Sequence, residues 1–291
     1  MKKILGTGLS GLVGSRVVEL LSKYSFEDAS IDTGVDILNY DSLENFFENN
    51  PDSDTVLHMA AFTDTSVAWN EINDKNGICW RVNVVGTENI LKLCNEYSKH
   101  LIYISTDYVF NGNKAGPYEE TDTPEPLDWY GQTKYEAEKM ILNSGLSASI
   151  VRISYPYRAK FDKKIDLVRK ILEKLQKGEN VKLFHDQITT PTFIDDIVYG
   201  LDKVIEKKPS GIFHLVASSF QSVYEMGLGI AKVFDLDSSL VTASSLKEYL
   251  KNPDARPYAI NGAISNTKTK SILGIETSEY LDGLKKMKLQ M

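Results

Sequence analysis

The chain spends four glycines in nine residues near its start, GTGLSGLVG, at positions 6, 8, 11 and 14. The short apolar run KIL precedes them and the amphipathic run LVGSRVVELL follows. Gly8, Gly11 and Gly14 let a backbone turn tightly between a strand and a helix, approach a pyrophosphate closely, and pack the helix on a sheet. Spaced glycines alone serve a structural turn equally well. Their place between a first strand and a first helix, heading a series of alternating elements, points to a dinucleotide held at the helix N-terminus, where free N–H groups meet phosphate charge.

The rest of the chain supports that beginning. Residues 3–6, 54–59, 101–105 and 148–153 read as strands, and 12–24, 80–97 and 130–143 as helices with apolar residues at helical spacing. Such alternation implies right-handed βαβ units and a parallel sheet covered on both faces. After Tyr155 the pattern becomes mixed: a helix over 166–177, a late strand over 211–217, and helices over 223–234 and 246–250. The expected fold is α/β, with a Rossmann-type doubly wound parallel sheet in residues 1–155, joined by the late strand. Residues 156–291 form mainly a smaller mixed α/β substrate-binding domain at the sheet's carboxyl edge. Ligands of open α/β sheets bind outside those strand ends, so the site is expected between the two parts.

Charge and cysteine usage narrow the partners. A formal net charge of −7 disfavours nucleic acid and anionic membranes. No apolar run approaches the roughly 18 residues of a membrane span. The glycines break any apolar signal-peptide core behind the basic start. Cys79 and Cys94 stand apart, as reduced cytoplasmic thiols do, and the four histidines form no metal-ligand cluster. A homodimer or a partner enzyme remains open.

A ribose reader is expected about 20 residues past the glycines, and Asp32 lies there. A carboxylate accepts from both ribose hydroxyls and repels a 2′-phosphate. No lysine or arginine occurs between Tyr24 and Lys75, and Arg16 is the nearest basic candidate. NAD(H) is therefore favoured over NADP(H).

Proton chemistry is suggested by "LDWYGQTKYEAEKM". Tyrosine stands four residues before lysine at Tyr130 and Lys134, at Tyr135 and Lys139, and again at Tyr199 and Lys203. Five helical residues rotate the chain by about 500°, setting Tyr135 some 140° from Tyr130. Tyr135 sits in a charged run that reads as a solvent face. Tyr130 begins its helix directly after a loop and can reach a cleft. Upstream, "ISTDYVFNG" ends a strand with Ser105, Thr106, Asp107 and Tyr108 at the carboxyl edge. Free tyrosine has a pKa of about 10, and the Lys134 ammonium is expected to lower it. Thr106 would hold a carbonyl oxygen by hydrogen bond.

With these pieces in place, the chain resembles the extended short-chain dehydrogenase/reductase superfamily, closest to the dTDP-4-dehydrorhamnose reductase family. The resemblance rests on "TGLSGLVGS", "HMAAFT", "RVNVVGTENI", "ISTDYVFNG", "YGQTK", "VRISYPY", "DQITTPT", "GIFHLVAS" and Arg256-Pro257. It implies Thr106, Tyr130 and Lys134 as the catalytic trio, with Tyr130 and Lys134 also touching the cofactor. It implies Gly8, Gly11, Leu12 and Val13 along a pyrophosphate, Asp36-Ile37 at adenine, and Ala60, Ala61 and Thr63 beneath the cofactor. Asp107, Tyr108 and Tyr155 would meet the substrate, and Asn83 matches the family's helix-start asparagine or a plain helix cap. The implied reaction is NAD(P)H-dependent reduction of the 4-keto group of a nucleotide-linked deoxysugar, as in dTDP-rhamnose biosynthesis. A nucleotide-sugar 4-epimerase, or a non-catalytic subunit like the methionine adenosyltransferase β subunit, are the alternatives. Dehydratases carry glutamate where Tyr108 stands, so dehydration is disfavoured. Departures fall on the substrate side: Ser66 and Trp69 replace expected acids, and Tyr155 replaces a tryptophan.

His58 reads as a packing residue and His185-Asp186-Gln187 as a cleft edge or turn. Asp195-Asp196 reads as a cap and exposed first turn.

Overall fold

The computed structural model describes residues 1–291. Six strands form one sheet: β1 (Lys2–Thr7), β2 (Tyr24–Ala29), β3 (Thr55–His58), β4 (His100–Thr106), β5 (Ala148–Ile153) and β6 (Gly211–His214). Their order is β6-β5-β4-β3-β1-β2, and every pairing is parallel. All residues of β3 and β4 are buried, as strands covered by helices on both faces must be. The chain steps from β1 outward to β2, then returns to place β3 on the other side of β1. This reversal opens a crevice at the carboxyl ends of β1 and β3. The glycine turn enters there: Gly8 has φ +68°, and a Cβ on it would lie 2.6 Å from the Ala60 nitrogen. Only glycine allows both the left-handed backbone and that approach.

The first helix ends sooner than its apolar pattern suggests. It spans Leu12–Leu20, and Tyr24, expected inside it, opens β2 instead. β2 is an edge strand with intermediate burial in its middle, so it lacks the apolar run that marks the interior strands. The expected helix over 80–97 is also more elaborate. It begins at Ile78–Trp80, widens into a π turn at Arg81–Val85, and continues as Gly86–Glu96.

One helix packed against the sheet comes from late in the sequence. Ile194–Lys207 packs Ile197, Val198, Leu201 and Val204 against Ile4, Val17 and Leu57 in one apolar cluster. Asp195 and Asp196 are buried, contrary to the expected exposed turn. Asp195 accepts from Arg16 Nε at 2.7 Å and Nη2 at 2.9 Å, and Asp196 accepts from the Ser278 amide at 2.7 Å. Buried carboxylates persist because cations and N–H groups meet them.

The remaining lobe gathers helices Leu167–Gln176, Val223–Phe234 and Tyr280–Lys288 around a second core that includes Leu172, Phe193, Met226 and Leu284. A two-stranded parallel ribbon, Val181–Phe184 with Val241–Ser244, closes it. No helix is long and apolar enough to cross a membrane.

Candidate active site

A cleft of about 980 Å³ runs from the glycine turn, past the carboxyl ends of β1, β3 and β4, to the second lobe. Gly8, Gly11, Leu12 and Val13 line it at the start of the first helix, with Asp32, Asp36 and Ile37 on one flank. Ala60, Ala61 and Thr63 line its floor, and Thr106, Asp107, Tyr108, Tyr130, Lys134 and Tyr155 its far end. The structure thus brings the residues expected at the cofactor and the substrate to one cleft.

The donor set fits a dinucleotide. Gly11 has an extended backbone at φ −78°, and a Cβ there would meet only the Gly8 carbonyl at 3.2 Å. The first helix has no side-chain cap, so its leading N–H groups stay free for a phosphate. Asp32 is exposed in a 3₁₀ turn, Ile31–Thr33, fixed by a capping box between Ser30 and Thr33. Asp36 accepts from the Leu38 amide at 2.9 Å, and Asn89 donates to the Ile37 carbonyl at 2.9 Å, which holds this flank. Arg16 is spent elsewhere, on Asp195, Glu19 and Gln290. Ser105, a strand-end residue the family motif does not single out, lines the cleft with a buried hydroxyl that has no partner.

At the far end, β4 delivers Thr106 and the helix Trp129–Asn143 delivers Tyr130 and Lys134. Asp128 caps this helix, accepting from the Gly131 amide at 2.8 Å. Glycine follows Tyr130 for a reason: a Cβ at 131 would strike the Tyr108 carbonyl. The helix start therefore rests on the strand-end turn, and Tyr130 and Thr106 both line the cleft there. The Tyr108 ring lies edge-on to Tyr130 at 5.6 Å and 6.5 Å from Tyr155. Tyr155 has φ +41°, a strained backbone for a bulky residue.

Electrostatics revise one expectation. The phenol of Tyr130 is pushed up, first by burial and then by the charges of Asp107, Tyr108 and Asp128. The expected partner, Lys134, points elsewhere. Its ammonium turns to the Ile104 carbonyl at 2.7 Å and lies 4.1 Å from the Tyr103 ring centre. Burial lowers the Lys134 pKa to about 7, and Glu138 opposes the drop. Asp107 rises to about 6, again through burial, although Ser154 and Thr106 donate to it at 2.8 and 3.0 Å.

The other two tyrosine–lysine pairs lie elsewhere. Tyr135 is half-buried against a small cluster that includes Phe110 and Tyr118, rather than on a solvent face, with Lys139 5.1 Å from its ring centre. Tyr199 is exposed. His58 is buried between the hydroxyls of Thr7 at 2.6 Å and Thr87 at 3.0 Å, and burial lowers its pKa to about 3. Asp186 binds Ser245 and the Leu246 and Lys247 amides, so it anchors a turn. Asn83 is no cap. From the π turn it bridges the Phe62 backbone at 2.8 and 3.1 Å to the Thr133 hydroxyl at 2.9 Å. Sequence reasoning misses the loop that brings Phe161, Lys163 and Lys164 to the cleft, because two lysines beside an aspartate look like any solvated loop. No group of three or more His, Cys, Asp or Glu side chains could hold a metal ion.

Comparison with known proteins adds a second line of observation. Residues 1–291 match the family described as the RmlD substrate binding domain. The "Probable low-salt glycan biosynthesis reductase Agl14" of Haloferax volcanii is 30% identical over 264 residues, covering 86% of each chain. The dTDP-4-dehydrorhamnose reductase of Aggregatibacter actinomycetemcomitans is 26% identical over 302 residues, covering 99% of each. The methionine adenosyltransferase 2 subunit beta of Bos taurus is 33% identical over 190 residues, 63% of this chain and 55% of that one. Among solved structures, the dTDP-4-dehydrorhamnose reductase of Bacillus anthracis in complex with NADP superposes with a TM-score of 0.89 over 100% of both chains at 23% identity.

Proposed function

The chain belongs to the RmlD substrate-binding domain family, within the extended short-chain dehydrogenase/reductases, and on that premise we propose that it reduces the 4-keto group of a nucleotide-linked deoxysugar. It is an NAD(P)-dependent oxidoreductase. The observation that carries this reading is that Thr106, Tyr130 and Lys134 together line the end of the cleft that the glycine turn opens.

A bound nicotinamide dinucleotide supplies the hydride. Gly8, Gly11, Leu12 and Val13 would hold its pyrophosphate, Asp36 and Ile37 its adenine, and Ala60, Ala61 and Thr63 its underside. Asp32 would accept from the ribose hydroxyls, which favours NAD(H), and Arg16, the nearest cation in sequence, is held by Asp195. That the Bacillus anthracis structure contains NADP makes this preference a question for direct titration.

Thr106, whose hydroxyl hydrogen goes to Asp107 in the structure, would turn it to the keto oxygen and fix that oxygen beside Tyr130. Burial keeps the Tyr130 phenol protonated at neutral pH, so it holds the proton to be given. Its O–H bond breaks as the sugar gains the 4-hydroxyl proton. Lys134, one helical turn on and titrating near neutrality, supplies the cation that offsets the phenolate left behind. Residues 1–155 with β6 would carry the dinucleotide, and residues 156–291 mainly the sugar nucleotide. The partial match to the methionine adenosyltransferase subunit leaves this reading in place, because the proton-transfer trio is complete.

The test is anaerobic mixing of the purified chain with NADH or NADPH and a dTDP-4-keto-6-deoxy sugar, following the absorbance of the reduced nicotinamide. Loss of absorbance with stoichiometric 4-hydroxyl product is expected. No loss with either cofactor overturns the reading.

A further inference from the structure

Past β5 the chain crosses into the second lobe, and the residues that follow arch back over the cleft. Pro156–Tyr157 pairs with Thr192–Phe193 in that lobe. Phe161, Lys163, Lys164 and Ile165 then line the cleft before Asp166 caps the helix Leu167–Gln176. Arg169 gives this strap its shape, donating to the Phe161 carbonyl at 2.7 Å, to the Lys164 carbonyl, and to Asp166 at 2.6 Å.

Both ends of the strap stand on the dinucleotide half. Lys164 donates to the Thr63 hydroxyl at 2.6 Å, on the floor of the cleft. Arg158 reaches the first helix, donating to the Leu12 carbonyl at 3.2 Å, the Ser15 hydroxyl at 2.8 Å and the two Glu19 oxygens at 2.8 and 2.9 Å. Glu19 is half exposed, so that ion pair alone adds little. The bonds to Leu12 and Ser15 say more. They are made in the first turn, whose free N–H groups would meet the phosphate, by an arginine only 6% exposed. Arg158 does not itself line the cleft, so its effect on a ligand passes through Leu12.

We propose that Arg158 is a positioning residue for hydride transfer. From the lobe that would hold the sugar nucleotide, it fixes the phosphate-binding end of the first helix, and with it the separation between nicotinamide and keto carbon. A displacement of about 1 Å made far from the chemistry can slow a reaction by about 10²-fold. The kinetic consequence rests on the nucleotide-sugar reading, and the structural one on a bound dinucleotide alone.

Arg158→Met removes the guanidinium fork, while Arg158→Lys keeps the charge but cannot span Leu12, Ser15 and Glu19 at once. Thermal midpoints set conditions in which all three proteins are folded. Both variants should lose at least about tenfold in kcat with KM for both substrates within about threefold. The primary isotope effect from deuterated NADH or NADPH should grow, because a looser approach slows the hydride step. A loss confined to KM, or full rescue by lysine, overturns the proposal. Amide hydrogen exchange needs no sugar: saturating NADH or NADPH should slow exchange across residues 161–165 in the wild-type chain and leave it unchanged in Arg158→Met. A wild-type strap indifferent to dinucleotide, or one equally slowed in the variant, overturns the proposal. If the wild-type chain reduces no nucleotide-linked 4-keto sugar, the substrate reading has failed, and the exchange measurement still decides the role of Arg158.

Discussion

Tyr130 and Tyr135 share a helix and a lysine four residues on, yet only Tyr130 reaches the cleft. The difference is rotational, and it was legible because 3.6 residues per turn is a fixed period. Tyr130→Phe should lower turnover by roughly 10²–10⁴-fold, the usual worth of a general acid, while dinucleotide affinity stays within about twofold. Tyr135→Phe should leave turnover near wild type; steady-state kinetics with both variants checks this, and equal losses would sink the assignment. The electrostatics were less legible. A sequence gives the neighbour Lys134 but not its burial, which lowers its pKa from the ordinary 10.5 to about 7. Between those values the unfolded chain binds a proton that the folded chain does not. Stability contributed by this site therefore rises as pH climbs from about 7 towards 10.5. Lys134→Met should remove that slope. Urea unfolding of both proteins on either side of the window measures it, and parallel pH profiles would show that the ammonium is not desolvated.

At the scale of elements, strands and helices with strong periodicity were readable, and their irregular joints were not. The π turn at Arg81–Val85 has no composition that marks it, because i→i+5 bonding depends on what the extra residue reaches. Here it sets Asn83, 1% exposed, between the Phe62 backbone and Thr133. That bridge pins the loop of Ala60, Ala61 and Thr63 to the helix of Tyr130. Asn83→Ala would leave both half-buried polar groups of Phe62 without this partner. A loss of about 2–4 kcal/mol is expected from denaturant midpoints, since each unsatisfied buried group costs about 1–3 kcal/mol. Dinucleotide affinity should weaken in the folded variant, because the loop then lines the cleft less firmly. Fluorescence titration with NADH or NADPH reads this out, and full affinity in a destabilised variant would separate the bridge from the site.

On the scale of the whole molecule, what resisted reading was how the two lobes share one core. Apolar runs of the late sequence resemble any amphipathic helix, and nothing local assigns Ile194–Lys207 to the face of β1. In the fold, more than half of one main cluster comes from residues after 155, among them Ile197, Leu201, Phe213 and Ile275. The same crossing appears in the polar interior. Arg152 on β5 and Glu138 on the Trp129–Asn143 helix are fully buried, paired through Nε at 2.9 Å and Nη2 at 2.6 Å. Arg152 Nη1 also lies 3.3 Å from His214 Nε2 on β6, and the other ring nitrogen of His214 lies 3.2 Å from the Ser265 carbonyl. One ion pair thus joins the proton-donor helix, the sheet and the late strand. Glu138→Ala leaves a buried guanidinium uncompensated and should cost about 3–5 kcal/mol in urea unfolding. Replacing both partners with apolar side chains of similar volume, Glu138→Leu with Arg152→Met, should recover most of that loss, because it removes two desolvated charges together. If the double variant is as unstable as the single one, the pair's packing and its link to His214 hold these elements together rather than its charge balance.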